Sequence, residues 1–129
     1  MSLIDEIQRA QDALAAAVAD QDALRAAAQY THDACLMANG LPSLRGRNAV
    51  KGFFAQAYGN GIVGARFTTQ EVDGGPEQAT EIGHYSLFAK DQDGEPLCVQ
   101  DGRYFIAWRK ENGAWRIHRD MFNSTELRP

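Results

Sequence analysis

The stretch from Gly102 to Ser124, GRYFIAWRKENGAWRIHRDMFNS, constrains the fold of this chain more than any other. Tyr104, Phe105, Ile106, Trp108, Trp115, Ile117, Met121 and Phe122 concentrate aromatic and β-branched side chains there, the composition of paired strands. The Lys110-Glu111-Asn112-Gly113 break supplies a short turn with a glycine free to take positive φ, so two long strands meet in antiparallel register. Side chains alternate along a strand. Uninterrupted alternation puts Arg116, His118, Asp120 and Phe122 on one face, with Trp115, Ile117, Arg119 and Met121 on the other. The first face gathers a cation, an imidazole and a carboxylate, which is either an ordinary solvated face or the wall of a pocket.

Upstream the period is helical. Ser2 with Asp5 three residues on resembles a capping box, and Leu3, Ile7, Ala10, Leu14, Ala17 and Val18 trace a helix to about Ala19. Asp22 caps a short second helix with Leu24, Ala27 and Ala28 inward. Ala34 to Met37 reads as an edge strand closed by Asn39-Gly40 and Pro42. Asn48 caps a third helix whose stripe is Val50, Phe53, Phe54, Ala57 and Tyr58, stopped by Gly59-Asn60-Gly61. From there the period is 2, and Ala65–Asp73, Gln78–Lys90 and Glu95–Arg109 precede the last strand. Helices followed by a four-strand meander give an α+β plan, a curved antiparallel β-sheet wrapped around N-terminal helices. Phe53, Phe54, Leu36, Leu24, Leu14 and Ile7 are the predicted core.

With 129 residues and 44% hydrophobic content, the chain makes one domain spanning residues 1–129. A formal charge of -4 excludes a basic nucleic-acid or anionic-membrane surface. Cys35 and Cys98 lie far apart without a CxxC, which reads as free thiols in a reducing compartment. No apolar run approaches the roughly 20 residues needed to span a bilayer. MSLIDEIQRA also lacks a signal peptide's layout, so a cytoplasmic location is expected. Gly59, Gly61 and Gly64 satisfy GxGxxG, but the required strand-then-helix context is reversed. Asp91, Asp93 and Gly94 read as a hairpin turn, since the later ligands of a calcium loop are missing. His32, Asp33 and Cys35 have no second ligand pair at zinc spacing. No metal and no cofactor is expected.

DALRAAAQYTHDACLMANG (Asp22 to Gly40), LRGRNAVKGFF (Leu44 to Phe54) and the ending GAWRIHRDMFNS closely resemble the nuclear-transport-factor-2-like superfamily. That superfamily includes ketosteroid isomerases, SnoaL-like polyketide cyclases, the association domain of calcium/calmodulin-dependent protein kinase II and many small bacterial proteins of unknown function. The resemblance implies a cone-shaped fold with an internal cavity. It also implies that Arg116, His118, Asp120 and Phe122 turn into that cavity, and by the same parity Ile82, His84, Ser86 and Phe88. The isomerases' catalytic tyrosine, aspartate base and protonated aspartate fall at Leu14, Ala38 (beside Asn39) and Phe105, so their mechanism is not expected. The cyclases' His-x-Asp is matched by His118-Arg119-Asp120, although their helper histidine has no counterpart among Arg103, Tyr104 and Phe105.

Two functions remain open from the residues. One is cofactor-independent proton transfer on a small, partly apolar carbonyl compound, with Asp120 as acid and base, His118 or His84 as partner, and Arg116 or Arg103 as oxyanion stabiliser. The other is a non-catalytic ligand-binding or association domain. Tyr30, Asn39, Phe54, Tyr58, Arg103, Arg116 and Phe122 are the ligand-binding candidates for a small-molecule partner. The other expected partner is a second copy of the chain, bound through Tyr104, Ile106, Trp108, Trp115, Ile117 and Met121 on the convex face.

Overall fold

The structure is a computed structural model that describes residues 1–125. Three helices, α1 (Leu3–Ala19), α2 (Ala23–Ala27) and α3 (Arg47–Gly59), pack on one six-stranded sheet. Its strands are β1 (Tyr30–Ala38), β2 (Leu44–Arg45), β3 (Gly64–Gly74), β4 (Gln78–Lys90), β5 (Pro96–Glu111) and β6 (Ala114–Ser124), in the order β2-β1-β6-β5-β4-β3. Strands β3 to β6 form the expected antiparallel meander. The β5–β6 turn is Asn112-Gly113, both at positive φ, as a two-residue hairpin of this twist requires.

Ser2 caps α1 by accepting the Asp5 amide hydrogen, and Asp22 caps α2 through the Arg25 amide. The α1 stripe buries Ile7, Leu14, Ala17 and Val18 against the sheet. Edge strand β3 is met by α1 through Gln8, whose Nε2 donates to the Phe67 carbonyl while its Oε1 accepts from the Thr69 amide. One side-chain amide thus supplies the two bonds that another strand would give the edge.

Three expectations for the helical half are corrected. Leu24 is exposed, and Ala26 with Ala27 fills the inner side of α2. The N-cap of α3 is Gly46 at φ 87, with no side-chain cap from Asn48. β1 is longer than Ala34 to Met37 and lies inside the sheet, parallel to β6, because the chain crosses over to return beside the last strand.

The largest correction concerns which faces are inward. Trp108 pairs with Ile117 but Ala107 pairs with Arg119, so His118 is an extra residue in β6. Such a bulge flips the parity of everything beyond it. Trp115 and Ile117 are buried before it, while Asp120 is buried and Phe122 half-buried after it. Tyr104, Ile106 and Trp108 on β5 are buried as well, so these residues with Trp115 and Ile117 form the core, not the expected convex association surface. On β4 the inward set is Ala79, Glu81, Gly83 and Tyr85, and Ile82 and His84 lie outside.

Candidate functional site

The inward faces of β4, β5 and β6 meet α1 and α3 around a cavity of ≈ 80 Å³. Its buried wall includes Gln11, Leu14, Tyr30, Phe54, Tyr85, Tyr104, Ile106 and Asp120. Phe53, Tyr58, Ile62, Leu87 and Phe122 are partly exposed members of the same wall. The polar groups Gln11, Tyr30, Tyr104 and Asp120 therefore lie at the buried end, and the half-exposed side is almost entirely apolar. A ring cluster lines the α3 side, with Phe54 edge-on to both Tyr30 and Phe53, and Phe122 against Phe53 and Tyr85.

Two reciprocal pairs across β4 and β5 shape the opposite wall. Gly83 pairs with Tyr104, and Tyr85 with Gly102. A Cβ at Gly83 would fall within the Tyr104 ring, and one at Gly102 within the Tyr85 ring, so each tyrosine lies flat over a strand that has no side chain there. This flat placement carries the Tyr104 hydroxyl to Glu81.

Glu81 is 1% exposed and accepts four hydrogen bonds. Gln11 Nε2 and Trp108 Nε1 donate to Oε1, each at 2.9 Å, while Thr69 Oγ1 at 2.7 Å and Tyr104 Oη at 2.6 Å donate to Oε2. Four donors and no competing acceptor make a complete set for a buried carboxylate.

Asp120 is placed differently. It is 5% exposed and its one hydrogen-bond partner among the described residues is Tyr30, whose hydroxyl donates to Oδ2 at 2.7 Å. Burial among apolar groups disfavours its charged form, the hydrogen bond from Tyr30 opposes that effect, and the nearby Glu81 carboxylate adds to it. The net result pushes the Asp120 carboxyl up to about 7. Burial and the adjoining Asp120 carboxylate likewise push the Tyr30 hydroxyl well above its ordinary range, so it remains a donor.

Of the residues singled out from the sequence, Tyr30, Phe54, Tyr58, Asp120 and Phe122 come together around this cavity. His118 does not. As the bulge residue it is buried away from the cavity wall, 2.8 Å from Thr31 Oγ1 and 3.7 Å from Asp33 Oδ1, both reached by the same ring atom, Nδ1. Burial and then Arg119 and Arg109 lower its affinity for a proton, which favours neutral imidazole. His84 is exposed on the outer face with Nε2 3.3 Å from Gln70 Nε2, since the parity of β4 runs opposite to that expected. Arg103 is exposed and donates to Asn123, while Arg116 donates to the Trp115 carbonyl, and neither belongs to the cavity wall. Asn39 is exposed in the turn after β1.

Gln11, Glu81 and Tyr104 were not identified as site residues from the sequence. The available signal was Gln11, a polar residue four positions after Ile7 on an otherwise apolar stripe. Among the described residues no group of three or more His, Cys, Asp and Glu side chains is placed to hold a metal ion. Among the described residues no helix is long and apolar enough to cross a membrane.

Similarity to known proteins agrees with this architecture. No curated protein matches the chain. Among solved structures, a ketosteroid isomerase-like protein from Erwinia carotovora superposes with a TM-score of 0.77 at 18% identity, covering 96% of this chain and 97% of the other. An NTF2-like protein with a cystatin-like fold from Novosphingobium aromaticivorans gives 0.77 at 15% identity, covering 96% and 82%. A putative calcium/calmodulin-dependent protein kinase II association domain from Xanthomonas campestris gives 0.77 at 18% identity, covering 95% and 88%. These likenesses establish the cystatin-like, NTF2-like fold and leave the activity open. The SnoaL-like domain model matches residues 1–120, and the chain belongs to that family.

Proposed function

We propose that this protein binds a small, partly apolar molecule in the cavity and that Asp120 exchanges a proton with it. The observation that carries the proposal is a buried carboxyl, pushed up to about 7, in the wall of an apolar cavity. An acid whose ionisation is matched to neutral pH donates and accepts protons with comparable ease. Tyr30 holds one oxygen, Oδ2, which leaves Oδ1 for the ligand. His118, His84, Arg103 and Arg116 take no part, because none belongs to the cavity wall. Suitable substrates are compact carbonyl compounds with an acidic α-hydrogen, which Asp120 would remove and return in an isomerisation, cyclisation or dehydration. Free Cys35 and Cys98 suit a reducing compartment, which supports the cytoplasm as its location.

The test uses 4-hydroxycyclohexanone, a compact ketone that also carries a hydroxyl, with cyclohexanone beside it in deuterated buffer, and α-hydrogen exchange is followed by proton NMR. The wild-type protein is expected to accelerate exchange, and Asp120→Asn to reduce that acceleration by roughly 10² to 10⁴ with the fold intact. Ketone binding without accelerated exchange would select the second reading, a non-catalytic ligand-binding domain.

The proposal includes a homodimer through the outer face of the sheet, as expected, but of the residues expected there only Met121 remains. Ile82, Phe105 and Met121 are exposed at 39%, 50% and 50%, and they pair directly with one another across β4, β5 and β6. This makes an apolar row on the outer face of the sheet, and Met37 on β1 continues it beside Met121. Covering such a row with its symmetry mate supports a two-fold, isologous association.

A further inference from the structure

Gln11 is fully buried, belongs to the cavity wall, and donates from Nε2 to Glu81 Oε1. Its Oε1 is a buried atom without a hydrogen-bond partner among the described residues. The amide cannot relieve this by flipping, because the flip would set its carbonyl oxygen against the Glu81 carboxylate. Glu81 is itself held by Thr69, Tyr104 and Trp108, so it cannot turn to release Gln11. The network therefore fixes a buried, acceptor-only atom on a side chain that lines the polar end of the cavity.

A buried carbonyl oxygen left without a donor is costly, and an occupant that supplies the donor recovers the loss. We infer that the ligand carries a hydroxyl or N–H at its buried end, which donates to Gln11 Oε1 while its apolar body lies among Phe54, Phe53 and Phe122. Gln11 is then the residue that sets specificity, and Glu81 is the positioning residue that orients it. Ligands presenting only a methyl, ether or carbonyl oxygen at that end leave Oε1 unsatisfied and are discriminated against. This inference rests on the cavity being a small-molecule site and names the class of molecule it takes.

Phenol and toluene separate the possibilities because they share a shape and differ in the donor. The enclosed volume is about half of the ~150 Å³ that holds benzene in an engineered cavity, so a one-ring probe extends toward the half-exposed wall. Binding is measured by NMR titration of isotope-labelled protein, including the Gln11 side-chain amide resonance. The wild-type protein is expected to prefer phenol over toluene by roughly tenfold or more, with the Gln11 amide shifted by phenol alone. Gln11→Leu is expected to reverse the preference, since burying a hydroxyl without an acceptor is unfavourable.

Equal binding of the two probes by the wild-type protein would overturn the inference and leave the binding site standing. A phenol preference that survives in Gln11→Leu would also overturn it, by assigning the donor to another acceptor. If Gln11→Leu does not fold, the wild-type amide resonance decides, and a phenol-bound protein with that resonance unmoved contradicts the inference. Failure of both probes to perturb any cavity resonance at millimolar concentration would remove the binding site and the inference together.

Discussion

The Tyr30 hydroxyl donates to Asp120 Oδ2 at 2.7 Å, joining the first residue of β1 to a carboxyl on the parallel strand β6, ninety positions away in the chain. The pairing depends on the crossover that brings β1 into the middle of the sheet, and on the bulge at His118 that turns Asp120 inward.

Asp120 makes stability depend on pH in a direction opposite to that of a salt-bridged carboxylate. Its folded value of about 7 lies above an unfolded value near 3.9, so the folded state retains the proton that the unfolded state releases. The folded state binds more protons between those values, and stability falls as pH rises from about 4 to about 7, then levels off. The span of roughly three units corresponds to about 4 kcal/mol. Asp120→Asn is expected to flatten this dependence and to raise Tm above the wild-type value at pH 8, as thermal melts across pH 4 to 9 will show.

Tyr30→Phe removes the one hydrogen bond among the described residues that holds the Asp120 carboxyl down. The ionisation of Asp120 is then expected to move upward. The ring still fills its place beside Phe54, so the loss of stability at pH 5 should stay near the 1 kcal/mol of a single hydrogen bond. Carbon-13 titration of the carboxyl and a melt at pH 5 check the two halves separately.

Gly83→Ala tests the reciprocal glycine–tyrosine packing. A methyl group at Gly83 meets the Tyr104 ring and the Thr68 carbonyl, so Tyr104 must leave Glu81 or the strand must shift. Overpacking of this kind costs roughly 1–3 kcal/mol. Chemical denaturation should show at least that loss, and a variant as stable as the wild type would contradict the placement of Tyr104.

Phe105→Glu is expected to convert a dimer to a monomer without changing the fold. A charge placed at the middle of the row formed by Ile82, Phe105 and Met121 would be repeated by its symmetry mate. Light scattering at micromolar concentration should return twice 14.2 kDa for the wild type and 14.2 kDa for the variant. A monomeric wild type would contradict the association surface.

The helices, the meander and the Asn112-Gly113 turn were legible because each leaves a local signature of period, cap or turn residue. The faces of the sheet were not. His118 carries no mark of a bulge, and one extra residue there separates Ile117 and Met121, which uninterrupted alternation would put on one face, leaving the first fully buried and the second half exposed. On β4 both parities hold apolar residues, and the inward one includes Glu81 because its four donors come from α1, β3 and β5, a convergence invisible within any single segment. The inward placement of Asp120 was nevertheless expected from its place in the terminal hairpin and its family match, whereas His118 was carried along by an uninterrupted alternation that β6 does not keep, and His84 by the wrong parity on a β4 that alternates regularly.

The central claim is that Asp120 is a buried acid that ionises near neutrality, and carbon-13 NMR of its side-chain carboxyl, followed from pH 3 to 9 and assigned with Asp120→Asn, tests it most directly. The account predicts a midpoint near 7, well separated from the exposed aspartates. A midpoint at or below about 4 would mean that water or an unrecognised donor stabilises the carboxylate, and would contradict a role for Asp120 in proton transfer.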